Sequence, residues 1–195
     1  MDIIIPIRVK DTSRVPRKPL RPLAGKPMLL WMLEEMRGLQ GRRCVWTCSP
    51  EVREIIPAEW GYEFPERDPY TESDACGITE LVSAYAAVSS TPRFVVLTID
   101  YPFLRAESVR ACVAAVDSGE YDCARAVYER PAMGWLDGRP ISESALYSQE
   151  CPRIETMCGL AVLNRAQALQ GSIIHGRVYR HKLAAIEALD VDEPD

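Results

Sequence analysis

The sequence predicts an α/β protein, a single domain on a mostly parallel open sheet flanked by helices. Two observations carry this. The strongest strand candidates, Ile3 to Ile7 and Phe94 to Ile99, are continuous apolar runs rather than alternating ones, the mark of strands covered on both faces. They also alternate along the chain with helical stretches, the pattern of a parallel sheet with helical crossovers. The length of 195 residues suits one such domain with a substantial core.

The elements follow in order. After Ile3–Ile7 comes a loop with Pro16, Pro19 and Pro22, then Gly25-Lys26-Pro27, with Pro27 in the first turn of a helix on which Met28, Leu29, Met32, Leu33 and Met36 recur at helical spacing. Lys26 reads as a structural residue of that turn. Arg42 to Thr47 is a second buried strand, and Ser49-Pro50-Glu51 opens a capped helix. Ile78 to Val88 is a further helix, followed directly by the strand Phe94–Ile99. Ala106 to Val116 is helical and Cys123 to Tyr128 a strand. A stretch of about 129–155, rich in Pro, Gly and Ser, reads as an excursion over the acceptor side or a dimerisation element. Leu160 to Leu163 returns as a strand, and Leu183 to Leu189 leads into Asp190-Val191-Asp192.

Composition excludes several classes. Hydrophobic residues at 47% and charged residues at 26% are globular values. No apolar run approaches membrane-spanning length and the run in Met1–Pro6 is too short for a signal h-region, which leads us to expect a cytoplasmic protein away from membranes. Seven cysteines, an odd number without a C-x-x-C pair, fit reduced thiols better than a disulfide framework. A net charge of −5 argues against a nucleic-acid partner. Yet Arg8, Lys10, Arg14, Arg17, Lys18, Arg21 and Lys26 crowd one loop against the single acid Asp11. A basic loop on an acidic protein suggests an anionic small ligand; the alternative is a solvated charge run.

In an open parallel sheet ligands bind where the loops leave the carboxyl ends of the strands. The loops after Ile7, after Ile99 and around Asp190 therefore matter most. The first, Pro6-Ile7-Arg8 through Ser13-Arg14 to Lys18, lies between a strand and a helix, where Arg8, Arg14 and Lys18 can hold phosphates together with backbone N–H groups. It lacks the G-x-x-x-x-G-K-[ST] pattern of a P-loop. The second, Thr98-Ile99-Asp100-Tyr101-Pro102, ends an apolar strand in a carboxylate suited to a divalent cation, or in an ordinary turn. In the third, Asp190 and Asp192 share one face if the segment is extended, an arrangement for a hard cation; otherwise it is a solvated acidic tail.

The segment IPIRVKDTSRVPRKPLRPLAGKPML resembles the N-terminal signature of the sialic-acid and KDO cytidylyltransferases and their spore-coat polysaccharide relatives. The resemblance rests on Arg8, Ser13, Arg14, Pro16, Lys18 and the Gly-Lys-Pro that opens the helix. Arg17 stands where some members have glycine. Asp100-Tyr101-Pro102-Phe103 is similar to that family's Q-G-D-x-P-F/L motif, and Asp190-Val191-Asp192-Glu193-Pro194 to its closing D-x-D-x-P. The resemblance implies a Rossmann-like, GT-A type nucleotidyltransferase. Asp100 and Asp192 would hold Mg²⁺, with Asp190 in support. Pro6, Ile7, Arg8, Ser13, Arg14 and Lys18 would bind the nucleotide. Arg67, Cys76 and Thr98 fall near base-contacting positions. Where relatives carry a Ser/Thr-Gly-Thr-Asp-Arg-like segment this chain has Asp74-Ala75-Cys76-Gly77-Ile78-Thr79-Glu80, so its base-reading segment differs. Relatives also continue as a helix beyond the last motif, so the chain reads as a trimmed or reduced form.

The expected partners are CTP or another NTP, a small acidic acceptor and, as an option, a second copy of the chain in a homodimer. Arg130, Trp135, Arg139 and Arg153 are candidates to face the acceptor, or are surface residues. Two other readings stay open: a metal-dependent glycosyltransferase, which also needs a strand-end Asp, and a catalytically silent nucleotide-binding or partner domain.

Overall fold

The first strand, β1 (Asp2–Pro6), is covered on both faces, as its unbroken apolar run requires: Ile3 and Ile5 enter one apolar cluster and Ile4 a second. The same alternation recurs in the strand Arg93–Leu97, where Val95 and Leu97 point to the first cluster and Phe94 and Val96 to the other. A computed structural model of the chain describes residues 1–10, 15–141, 147 and 149–192.

Beyond β1 a short hairpin, β2 (Pro22–Leu23) and β3 (Lys26–Pro27), turns through Ala24 and Gly25 at positive φ and feeds α1 (Met28–Met36). Lys26 stays in this turn, paired with Glu34 and lying 3.9 Å from the Trp31 ring centroid, as its structural reading predicts. Next come β4 (Arg42–Trp46), α2 (Pro50–Ile55), α3 (Ile78–Val88), β5 (Arg93–Leu97), α4 (Ala106–Asp117) and β6 (Cys123–Pro131). The rest comprises β7 (Trp135–Leu136), β8 (Arg139–Pro140), β9 (Arg153–Asn164), α5 (Arg165–Ala168) and β10 (Val178–Lys182).

Six strands form one sheet in the order β10-β6-β9-β5-β1-β4. Every neighbouring pair is parallel except those made by β9, which runs antiparallel to both β5 and β6. Residues of α1, α2 and α4 fill the first cluster on one face, and residues of α3 and α5 the second on the other. The sheet is open, mostly parallel and sandwiched between helices.

The structure departs from the sequence reading in two places. The stretch 129–155 is not all excursion: β6 runs on to Pro131 and β9 begins at Arg153, pairing Glu129 with Glu155 and Pro131 with Arg153. The like charges of Glu129 and Glu155 are compensated by Lys182, which pairs with the first and lies 3.9 Å from the second. What remains between the strands carries the small β7–β8 hairpin, with Trp135 and Leu136 exposed. Strand β10 has no counterpart in the sequence reading, because Val-Tyr-Arg-His-Lys at a half-exposed edge shows neither an apolar run nor clear alternation.

The entry into β4 is tight. Gly41 has φ 115° and Arg42 N–H donates to the Met1 carbonyl at 3.2 Å; a Cβ on Gly41 would fall 2.1 Å from that oxygen. Only glycine fits there without displacing backbone.

Candidate active site

Three loops converge at the carboxyl edge of the sheet, as the topology requires. The first leaves β1 at Pro6 and closes at its base through Arg17 N–H to Lys10 carbonyl, 2.7 Å. Arg17 takes φ 55°, the left-handed region that favours glycine, which gives a physical reason for glycine at this point of the pattern. A 3-10 turn, Lys18–Leu20, follows at once and turns the Lys18 side chain back under the sheet edge.

There the Lys18 Nζ meets two carboxylates. It pairs with Asp100, just beyond β5, and with Asp192 at 3.0 Å. Two oxygens sharing one ammonium are within about 6 Å of each other, so Asp100 and Asp192 meet at the sheet edge. Val191 N–H donates to the Asp100 carbonyl at 3.0 Å, fixing the last segment onto the β5 loop. Upstream, the buried Glu187 carboxylate accepts from Arg105 N–H (3.1 Å) and Ser108 Oγ (2.7 Å) at the start of α4, where a negative charge suits the helix dipole. Burial alone would lower the Lys18 pKa, but the hydrogen bonds and charges of Asp100 and Asp192 outweigh it and hold it above the usual lysine value. Lys18 is therefore charged at neutral pH.

Asp190 lies close by, with its Oδ2 accepting from the Tyr101 hydroxyl at 3.1 Å. Burial, then the charge of Asp192, raise its pKa above the ordinary aspartate value. Gly159 of β9 makes this packing feasible, since a Cβ there would lie 2.3 Å from both Thr98 Oγ1 and the Tyr101 ring.

Lys18, Asp100 and Asp192 line a cavity of about 580 Å³, with Pro6, Arg8 and Thr98 in its wall. At the mouth, Asp74 holds the cations of the first loop: Lys10 Nζ lies 2.5 Å and Arg8 Nη1 3.6 Å from its Oδ1. The Lys10 hydrogen bond and charge keep the Asp74 carboxyl below its usual pKa. Lys10 and Asp74 were not among the sequence candidates; the Asp in the altered segment 74–80 was the available signal.

Arg67 also lines the cavity, but its guanidinium is spent on the protein. It donates to the Ile7 (3.2 Å) and Trp46 (2.8 Å) carbonyls and to Thr71 Oγ1 (3.0 Å) and carbonyl (3.1 Å), and it lies 4.4 Å from the Trp46 ring centroid. It clamps the β1 and β4 ends together. Ile7 has a core side chain and gives its N–H to the Trp46 carbonyl at 3.0 Å, so it presents no amide to the cavity. Cys76 is not brought to Lys18; it lines a separate depression with Tyr70 and Thr79, because the 73–77 turn carries it outward before α3. Ser13 and Arg14 lie outside the described residues. Of the acceptor candidates, Arg130, Trp135 and Arg139 are exposed and Arg153 pairs with Glu129 at 3.5 Å; none lines this cavity.

Among the described residues no group of three or more His, Cys, Asp or Glu is arranged around a metal position. The residues present nevertheless fit Mg²⁺, which keeps most of its waters and takes one or two carboxylates. Asp100 and Asp192 converge on a single positive atom, and all their donors are hard oxygens.

The open, mostly parallel sheet flanked by helices is a Rossmann-like fold. The chain belongs to the MobA-like NTP transferase domain family, whose model matches residues 12–186. It is 33% identical over 125 residues to a bifunctional GlmU protein of Paracidovorax citrulli, covering 62% of this chain and 26% of that protein. It is 34% identical over 88 residues to a 3-deoxy-manno-octulosonate cytidylyltransferase of Psychrobacter arcticus, covering 44% of this chain and 31% of the relative. The chain thus spans about a third or less of the length of these curated relatives. A structure of CMP:2-keto-3-deoxy-manno-octonic acid synthetase complexed with CTP superposes with a TM-score of 0.69 at 16% identity, over 98% of this chain and 92% of the other. At that identity the likeness establishes the fold.

Among the described residues no helix is long and apolar enough to cross a membrane.

Proposed function

We propose that the chain is a cytidylyltransferase: it transfers CMP from CTP to a small acidic acceptor, sugar acid or phosphonate, and releases pyrophosphate in the cytoplasm. The observation that carries this reading is the Lys18 ammonium seated between Asp100 and Asp192 in a cavity whose mouth holds Arg8 and Lys10. Such a site has cations for a triphosphate and carboxylates for its counter-ion on one sheet edge.

Each residue has a separable task. Lys18, Arg8 and Arg14 bind and orient the phosphates and stabilise the pyrophosphate that leaves. Lys18 does so as a permanent cation, because its two carboxylates keep it protonated. When phosphates bind, Arg8 and Lys10 exchange Asp74 for phosphate oxygens. Mg²⁺, when bound, would rest on Asp100 and Asp192 with Asp190 in support, and would neutralise charge at the attacked phosphorus. Pro6 and Thr98 shape the wall. The exposed apolar tip of the β7–β8 hairpin supports a homodimer.

The test is magnesium-dependent pyrophosphate release with the four NTPs and a panel of acidic acceptors. An NTP-independent reaction with nucleotide-sugars instead would point to a glycosyltransferase, and silence towards both to a binding domain. CTP at about a hundred times its Kd should stabilise the fold by about 2.7 kcal/mol, or roughly 5–10 °C in Tm for a chain of this size, more than ATP or GTP. Equal stabilisation by all four NTPs would count against the cytosine preference.

The metal assignment has its own test. Asp100→Asn should abolish the stabilisation by Mg²⁺ and lower pyrophosphate release by roughly 10²-fold or more. An unchanged Mg²⁺ shift in the variant would remove Asp100 from the metal site.

A further inference from the structure

Arg125, near the start of β6, has no hydrogen-bonding or ion-pairing partner among the described residues. Its Nε is sealed from solvent and meets no hydrogen-bond acceptor, and among the described residues no carboxylate pairs with it. The cations around it are all engaged: Arg153 with Glu129 at 3.5 Å, Arg180 with Glu155 at 2.7 Å, and Lys182 with Glu129. In the strand register Arg180 lies directly beside Arg125, which adds repulsion rather than compensation. Burial pulls the Arg125 pKa below the ordinary arginine value, though the group stays charged. Retaining an unpaired guanidinium in this position costs stability that an apolar side chain would not.

Its location explains the cost. Arg125 lines a cavity of about 260 Å³ together with Thr98, Asp100, Tyr101, Gly159 and Asp190. Thr98 and Asp100 also line the 580 Å³ cavity, so the two spaces share a wall at the Asp100 strand end. Arg125 and Met157 continue into a third space of about 490 Å³ over β6, β9 and β10. The β6–β9 ladder shifts register between Arg125 and Val127. Such irregularities re-aim side chains beside active sites. Gly159, at the same irregularity, keeps the smaller cavity open, since any Cβ would fill the gap against Thr98 and Tyr101.

The geometry points to Arg125 as the residue that binds the acidic group of the acceptor, a carboxylate or a phosphate, in the smaller cavity. The inference rests on the larger cavity being the nucleotide site. A displacement at phosphorus needs the incoming and leaving oxygens roughly in line. An acceptor anchored at Arg125 approaches across Asp100, from the space next to the one holding Lys18. Arg125 is then a specificity-determining residue, matched to an oxyanion by its fork of donors. The residues Arg130, Arg139 and Arg153 lose that role to a residue inside the sheet.

The experiment reads the site at the residue itself. The Nε–H resonance of Arg125, assigned by its loss in Arg125→Met, is followed by NMR while glycerate, glycerol 3-phosphate or neutral glycerol is added to the full chain. A shift with glycerate identifies a carboxylate acceptor, a shift with glycerol 3-phosphate a phosphate one, and glycerol should give none. Arg125→Met should bind the effective anion about tenfold to a hundredfold more weakly and bind CTP as the wild type does. Without ligand it should melt at or above the wild-type temperature, because an uncompensated charge has been replaced by a side chain of similar volume. No shift with either anion would overturn the proposal, and so would a loss of several degrees in Arg125→Met, which would mark a structural role. Anion shifts in a wild-type protein that fails to bind CTP would sustain the Arg125 site and overturn the nucleotide reading alone.

Discussion

Lys18→Ala is expected to lower pyrophosphate release by roughly 10³-fold while the chain stays folded, a loss of the size found when a preorganised charge is removed from a developing negative centre. The fold should survive because Lys18 belongs to no apolar cluster and its two ion pairs are partly exposed, at 34% for Asp100 and 40% for Asp192. Such pairs contribute about 0–1 kcal/mol. Their raised Lys18 pKa means that this small stabilisation is complete at neutral pH and fades only as pH rises through the folded-state value. The variant should therefore melt within a few degrees of wild type at pH 7. Removing the ammonium also leaves Asp100 and Asp192 facing each other uncompensated, so a divalent cation should bind the variant at least as tightly as the wild type. Turnover assays with melting curves in the presence and absence of Mg²⁺ check all three. Near-normal turnover would mean that the phosphate cradle lies elsewhere.

Gly41→Ala should produce the largest loss of stability, far from the chemistry. The added methyl would meet the Met1 carbonyl oxygen at 2.1 Å, a backbone atom that also accepts from Arg42, and would sit on a residue at φ 115°. The backbone conformation costs about 1–3 kcal/mol for a side-chain-bearing residue, and the disturbed hydrogen bond adds about 1 kcal/mol. The sum is a sizeable share of a typical 5–15 kcal/mol and corresponds to a Tm lower by roughly 5–15 °C for this chain length. Thermal unfolding followed by circular dichroism measures it. A Tm within two degrees or so of wild type would show that the start of β1 can move aside.

The sheet was legible wherever burial on both faces wrote an unbroken apolar run, as in Ile3–Ile5 and Phe94–Leu97. It was illegible at β10, where a half-exposed edge mixes Tyr, Arg, His and Lys, and in the outer part of β9, whose Arg153 to Met157 pair beyond the covered core. Among the candidate residues, Lys18, Asp100 and Asp192, which the structure brings together, are singled out in the sequence by their loops and by a resemblance. Cys76 lines a separate depression, because a pattern of residue types carries no information on which way a turn points. Arg67 lines the cavity, yet its donors close on the carbonyls of Ile7 and Trp46, which no linear pattern reveals. Arg125 carries a signal in the sequence: a charged residue between two buried alanines inside a strand.

Lys18 and Asp192 stand 174 residues apart in sequence. Bringing the ends of a loop that long together in a flexible chain costs roughly 4–5 kcal/mol in configurational freedom before any constant is added. An exposed ion pair returns about 0–1 kcal/mol. The contact therefore cannot hold its two segments together; the strands must already have placed them side by side. A partly ordered chain, with β1 and β5 unpaired, would contain all the charged groups named above and yet have no pocket. The chemistry of this protein is in that sense an all-or-none property of the completed sheet.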